Sequence, residues 1–174
     1  MKREITYAVR GAHCVAWHIR AVDEALAGPE GRPCVVMAHG FGGTRDAGLS
    51  AYAEGFAEAG IDAFVFDYRG FGASDGTPRQ AVSVRRQRED YRAALAACRR
   101  LPGVDPERIA LWGTSYSGGH VIPVAAGDGG VAAIVSLTPA VDGLATLAGL
   151  VRHDGFGRLA RVAGNGLRLS LIHI

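Results

Sequence analysis

Ser115 lies in the stretch Ile109-Ala110-Leu111-Trp112-Gly113-Thr114-Ser115-Tyr116-Ser117-Gly118-Gly119, where a short apolar run passes through small residues into a helix-forming segment. A serine on a tight strand-to-helix turn has its Oγ lifted above the sheet edge, and from there a hydroxyl can attack an acyl carbon. Such a turn brings the strand and helix backbones close together, so the residues two before and two after the serine must be small. Gly113 and Ser117 meet that need, which makes the pattern Gly-x-Ser-x-Ser rather than Gly-x-Ser-x-Gly. Ser117 is itself framed by Ser115 and Gly119. The spacing decides between the two serines: Ser115 falls three residues after Trp112, at the bend, while Ser117 is already in the helix. Ser115 is the candidate nucleophile. Taken alone, Gly-Thr-Ser would be no more than a turn and a helix cap.

Two further blocks support the chemistry. Met37-Ala38-His39-Gly40-Phe41-Gly42-Gly43 ends an earlier apolar run with a glycine-rich loop. In acyl transfer the developing oxyanion needs two preorganised backbone N–H donors. One is expected from the residue after the nucleophile, Tyr116, and the other from this loop, at Phe41. His39 precedes the nucleophile and is read as structural. The third block is Phe66-Asp67-Tyr68-Arg69-Gly70-Phe71-Gly72-Ala73-Ser74-Asp75-Gly76. Asp67 and Arg69 could be catalytic, but the favoured reading is a hydrogen-bonded turn that braces the oxyanion loop.

The elements that must position these blocks emerge from periodicity. Residues 4–9 and 14–20 read as short antiparallel strands joined through Arg10-Gly11-Ala12-His13, with a loop over 23–33. Residues 34–38, 61–66, 108–112 and 131–137 are apolar runs of the kind buried on both faces of a parallel sheet. Between them, 47–59, 82–101 and 116–126 are helical in pattern, and Gly60 stands where a left-handed cap is wanted. Alternating strands and helices predict parallel strands with crossover helices on both faces. The arginines at 85, 86, 88, 92, 99 and 100 are read as a solvated helix face, with Arg85 and Glu89 one turn apart. Residues 144–150 look helical, whereas Gly155, Gly157, Gly164 and Gly166 interrupt the C-terminal stretch after them.

Bulk composition narrows the function classes. The 174 residues suit one domain. Hydrophobic residues make up 48%, enough for a core, and 19 Lys and Arg against 17 Asp and Glu leave a net charge of +2. That balance points to neither a nucleic-acid nor a membrane partner. No signal-peptide or membrane-spanning apolar run is visible, and a cytoplasmic location is expected. Cys14, Cys34 and Cys98 form no CxxC pair and are expected to be reduced, buried thiols. The six histidines show no HExxH pattern, so neither metal nor cofactor is expected.

Together, His-Gly-Phe-Gly-Gly, Asp-Tyr-Arg-Gly-Phe-Gly-Ala-Ser and Gly-Thr-Ser-Tyr-Ser-Gly-Gly resemble the α/β-hydrolase superfamily over about residues 4–145. The Gly-x-Ser-Tyr-x-Gly form is similar to Xaa-Pro dipeptidyl-peptidase-like and dienelactone-hydrolase-like members. The resemblance implies a partial α/β-hydrolase fold: a mostly parallel sheet with an antiparallel N-terminal hairpin and helices on both faces. It implies a serine hydrolase acting through an acyl-enzyme on a small ester or peptide-like substrate. It also implies about eight strands, with the catalytic acid after the seventh and the histidine after the eighth, so the chain reads as C-terminally truncated. The order Ser115, Asp142, His153 is formally permitted, but the strands needed to return a base to Ser115 are missing. On this reading residues 1–143 are the N-terminal part of the hydrolase domain and 144–168 begin a cap or connecting helices. Residues 169–174 resemble translated adapter sequence and are read as a non-native tail. An exposed edge beside 131–137 would invite self-association.

Two other readings stand beside it. A non-catalytic α/β-hydrolase-fold binding module or remnant would share every block. A dinucleotide-binding domain would need G-x-G-x-x-G, which neither glycine-rich loop completes.

Overall fold

The computed structural model describes residues 2–158, 160–161 and 164–165. Two compact units divide at Pro139 and Ala140. The first begins with a hairpin in which β1 (Lys2–Val9) and β2 (Ala12–Ile19) pair antiparallel from Lys2↔Ile19 to Val9↔Ala12. Only Arg10 and Gly11 separate them, at φ 49° and 80°. Left-handed geometry at both central residues matches the twist of the flanking strands, so Ala12 and His13 already belong to β2.

β3 (Arg32–Ala38) and β4 (Asp62–Phe66) are buried at every position, as expected of parallel strands covered on both faces. With β5 (Val104–Thr114) and β6 (Val131–Leu137), the sheet order is β1-β2-β4-β3-β5-β6. β2 joins β4 antiparallel, and the four strands from β4 to β6 run parallel. α1 (Leu49–Glu58) lays Leu49, Ala53 and Ala57 on one face against Val35, Met37, Val65 and Trp112. α2 (Val84–Cys98) and α3 (Tyr116–Ala126) cover the other, where Tyr91, Leu95 and Val121 meet Val36, Phe64, Phe66 and Leu111. The fold class read from the sequence is the one observed.

Registers Ala38↔Phe66 and Ala38↔Gly113 place the ends of β3, β4 and β5 side by side. All three sequence blocks therefore open on one edge of the sheet.

Some boundaries differ from expectation for local reasons. α1 starts at Leu49 because Gly48 is left-handed at φ 82°. α2 starts at Val84 because Ser83 is extended and its Oγ accepts the Arg86 N–H at 3.4 Å. Gly60 takes φ 82°, as its position required. The arginine face of α2 is only partly free: Arg85 Nη1 lies 3.7 Å from Glu89 Oε1, while Arg99 is fastened to both Asp128 oxygens at 2.8 Å.

In the second unit, α4 (Gly143–Asp154) is capped by Asp142, whose Oδ1 accepts the N–H groups of Leu144 and Ala145 at 2.9 Å. Beyond Gly155, residues 156–158, 160–161 and 164–165 are helical, so the glycines interrupt less than their number suggested. Gly166 and the suspected tail at 169–174 lie outside the described residues. Among the described residues no helix is long and apolar enough to cross a membrane.

Candidate active site

β5 ends at Thr114 and α3 begins at Tyr116, leaving Ser115 at φ 54°, ψ −112°. A side-chain-bearing residue held there costs about 1–3 kcal/mol and persists only where its surroundings enforce it. They do so on both sides: the Ser115 N–H donates to Leu137 O at 2.9 Å, and its carbonyl accepts the Gly119 N–H at 3.2 Å. Ser115 itself is exposed.

Ser117 is fully buried and its hydroxyl is occupied. Its Oγ accepts the Thr114 N–H at 2.8 Å, and its single proton is shared between Ala38 O at 2.8 Å and Thr114 O at 3.0 Å. The sequence reading valued this residue for its size. The structure shows a second role, a polar clasp between the end of β3 and the bend, which the departure from Gly-x-Ser-x-Gly could have signalled.

The glycine-rich loop lies directly against the bend. A Cβ on Gly40 would stand 3.3 Å from Thr114 O and 3.4 Å from Ser115 Cβ. The Phe41 ring is exposed and meets the Tyr116 ring edge-on at 5.6 Å between centroids. The structure thus brings Phe41, Ser115 and Tyr116 together. As the first residue of α3, Tyr116 has an N–H with no partner inside the helix.

Asp67 and Arg69 are consumed in bracing. Asp67 Oδ1 accepts the Arg45 N–H at 2.8 Å and Oδ2 accepts the Ala73 N–H at 3.2 Å, tying the loop after β3 to the loop after β4. Arg45 Nε lies 3.3 Å from the same carboxylate, a partner no sequence motif announced. Arg69 donates its backbone N–H to Asp90 at 2.9 Å, pairs with Asp90 through Nε, and reaches Glu89 at 3.0 Å.

The two buried histidines of this edge each have one ring nitrogen engaged, while His39 Nε2 is buried without a hydrogen-bond partner. His39 Nδ1 lies 3.0 Å from Gly40 O and Nε2 lies 3.9 Å from Asp67, while its ring meets Tyr68 edge-on at 4.9 Å. Burial lowers its pKa, against the opposing pull of Gly40 O and Asp67. His120 lies 3.1 Å from Gln87 Oε1 and packs edge-on to Tyr116 at 4.7 Å. Burial, then the Arg88 charge, lowers its pKa to about 4.

Both imidazoles are neutral when folded and titrate near pH 6.5 once exposed. As pH falls, the unfolded chain takes up these protons first, so their contribution is complete above about 6.5 and declines below it, that of His120 until about pH 4. Asp90, whose pKa burial raises despite Arg69, acts in the opposite sense at the acid end. Urea midpoints are expected to fall between pH 7 and pH 4.5, and His120→Gln should flatten that dependence. An unchanged slope in the variant would show that His120 contributes nothing to it.

Among the described residues, no group of three or more His, Cys, Asp or Glu is gathered to hold a metal ion. Asp142 is spent as a helix cap, and His153 lies in the last turn of α4.

A strained serine between a parallel strand and a helix, with a glycine-rich loop from the neighbouring strand against it, defines an α/β-hydrolase. The chain belongs to the family described as serine aminopeptidase, S33, whose model matches residues 29–165. It is 42% identical over 143 residues to the quorum-quenching protein AidA of Acinetobacter baumannii, covering 82% of this chain and 45% of that protein. It is 43% identical over 110 residues to the thiohydrolase aneE of Aspergillus aculeatus, covering 63% of this chain and 35% of that one. Among solved structures, the α/β-hydrolase GrgF from a Penicillium species superposes with a TM-score of 0.73 at 28% identity, covering 94% of this chain and 56% of that one. The chain spans less than half the length of the two curated relatives.

Proposed function

We propose that Ser115 is the nucleophile of a serine hydrolase that cleaves a small ester or, secondarily, a peptide-like substrate. The observation that carries the reading is the strained, exposed Ser115 held beside Gly40 and Phe41. In the reaction Ser115 Oγ bonds to the substrate carbonyl carbon, and the carbonyl oxygen takes up the negative charge. The N–H groups of Phe41 and Tyr116 receive that oxyanion. Collapse expels the leaving group and leaves an acyl-serine, which water then hydrolyses. The name of the thiohydrolase relative extends the class to thioesters, whose carbonyl is open to the same attack.

In this reading the acid and the histidine base come from segments the longer relatives have and this chain does not. Residues 1–143 form the N-terminal part of the hydrolase domain, and 144–168 begin its cap or connecting helices. Alone, the chain is then inactive or nearly so, because a serine without its base is a weak nucleophile. β6, the edge strand of the described sheet with Ile134 44% exposed, is the surface through which such a chain would self-associate.

In the full-length parent, a fluorophosphonate should label Ser115. Ser115→Ala should abolish labelling and reduce ester turnover by at least about 1,000-fold. An intact, folded parent that resists labelling would instead support a non-catalytic binding module.

A further inference from the structure

We propose that Cys34 and Cys98 form a redox pair, closing to an intramolecular disulfide that fastens the end of α2 to β3. Their sulfurs stand 3.3 Å apart, with the Cys98 thiol directed at Cys34. Both side chains are buried in the same core cluster as Cys14, which contacts neither through sulfur in the hydrogen-bond pattern. Closure from this separation needs about 1 Å of movement to reach a disulfide bond length.

The backbone can yield most readily at Cys98. Cys98 is the last residue of α2, followed by the turn that leads to Gly103 at φ 77°. Cys34 adjoins the register shift between Arg32 and Cys34 in the β3–β5 pairing. Cys34 is the third residue of β3 and pairs with Asp62 and Ile109, so most of the movement falls to Cys98 at the end of its helix.

The chemistry requires a two-electron thiol oxidant, and a diazene such as diamide serves as the probe. One sulfur adds to the N=N bond, and the other then displaces nitrogen from that sulfur. Both thiol protons and two electrons end on the nitrogens, so the products are one disulfide and one hydrazine. Burial raises the Cys34 pKa well above that of a free thiol, so attack by a thiolate needs the end of α2 to open or the chain to be still folding. The bond therefore forms slowly in the folded protein and readily during refolding.

The test is to refold this chain with and without diamide, denature it in an alkylating agent, and count labelled cysteines by mass. One labelled cysteine, Cys14, is expected after oxidation, with a chain lighter by two hydrogen atoms before labelling. Digestion should yield a reducible Cys34–Cys98 peptide pair, and Cys14→Ala should form the same bond. Shortening the accessible unfolded loop should raise the thermal midpoint by about 10 °C, reversibly with reductant. Three labelled cysteines after oxidation, a bond that includes Cys14, or a bridged chain with a lower midpoint would each overturn the proposal.

Discussion

Replacing Gly113 with alanine is expected to destabilise the fold by about 3 kcal/mol or more and to disrupt the bend that holds Ser115. A Cβ at that position would fall 2.7 Å from Gly118 N and closer still to the Ser117 carbonyl. Each of these atoms is backbone, so no side chain can swing aside. The strand cannot retreat, because Gly113 pairs with Ala38 of β3 on one side and Ser136 of β6 on the other. The remaining relief is to push the start of α3 away, and that breaks the Ser117 clasp to Ala38 and Thr114 and releases the strained backbone of Ser115. Stability and site geometry therefore fail together. Gly55 supplies the contrast: it lies within α1 with open space around its would-be Cβ. Gly55→Ala should stabilise by about 0.5–1 kcal/mol through helix propensity. Urea denaturation of the two variants decides the matter. A Gly113→Ala protein with an unchanged midpoint would mean that strand and helix do not approach as described.

The contrast shows what a linear sequence can convey. Tyr116–Ala126 and Val131–Leu137 are read to the residue because an apolar run or a helical stripe ends where a small or turn-forming residue begins. β5 is read too short, from 108 rather than Val104, because Asp105, Pro106 and Glu107 look like a turn. Tertiary pairing of Val104 with Arg32 keeps them in the strand. The candidate nucleophile is legible because its geometry is local, a bend whose steric needs are met within five consecutive residues. The supports of that bend are not local. Asp67 finds Arg45, Arg69 finds Asp90, and His120 finds Gln87 across separations that no spacing rule encodes. Periodicity marks which faces are apolar, and a charged residue taken inside with its partner is invisible to it.

Asp62 is the strongest case of that kind, and its removal should cost as much as any substitution in the chain. It opens β4, is fully buried, and receives four hydrogen bonds. Oδ1 accepts the Ala21 N–H at 2.9 Å and Arg32 Nε at 2.8 Å, while Oδ2 accepts His18 Nε2 at 2.8 Å and Arg32 Nη2 at 3.1 Å. The His18 tautomer is set by its other neighbour: Arg3 Nε, which can only donate, lies 3.3 Å from Nδ1, so the neutral ring carries its proton on Nε2. Burial opposes the Asp62 charge, yet the hydrogen bonds from His18, Arg32 and Ala21 outweigh it and hold the carboxyl well below the usual carboxylate range. A depressed pKa contributes stability that is complete above about pH 4 and lost only as pH falls further. Asp62 thus stays ionised through the window in which His39 and His120 weaken the fold. Asp62→Ala would strand the Arg32 guanidinium, whose side chain is 6% exposed, leaving Glu24 at the rim as its one acidic partner among the described residues. The expected cost is about 3–5 kcal/mol. Arg32→Met in the same chain should restore part of that loss, because the variant pair no longer buries an uncompensated charge. The urea midpoints of the two single variants and the double variant close the cycle, and simple additivity would show that Asp62 and Arg32 do not act as a unit.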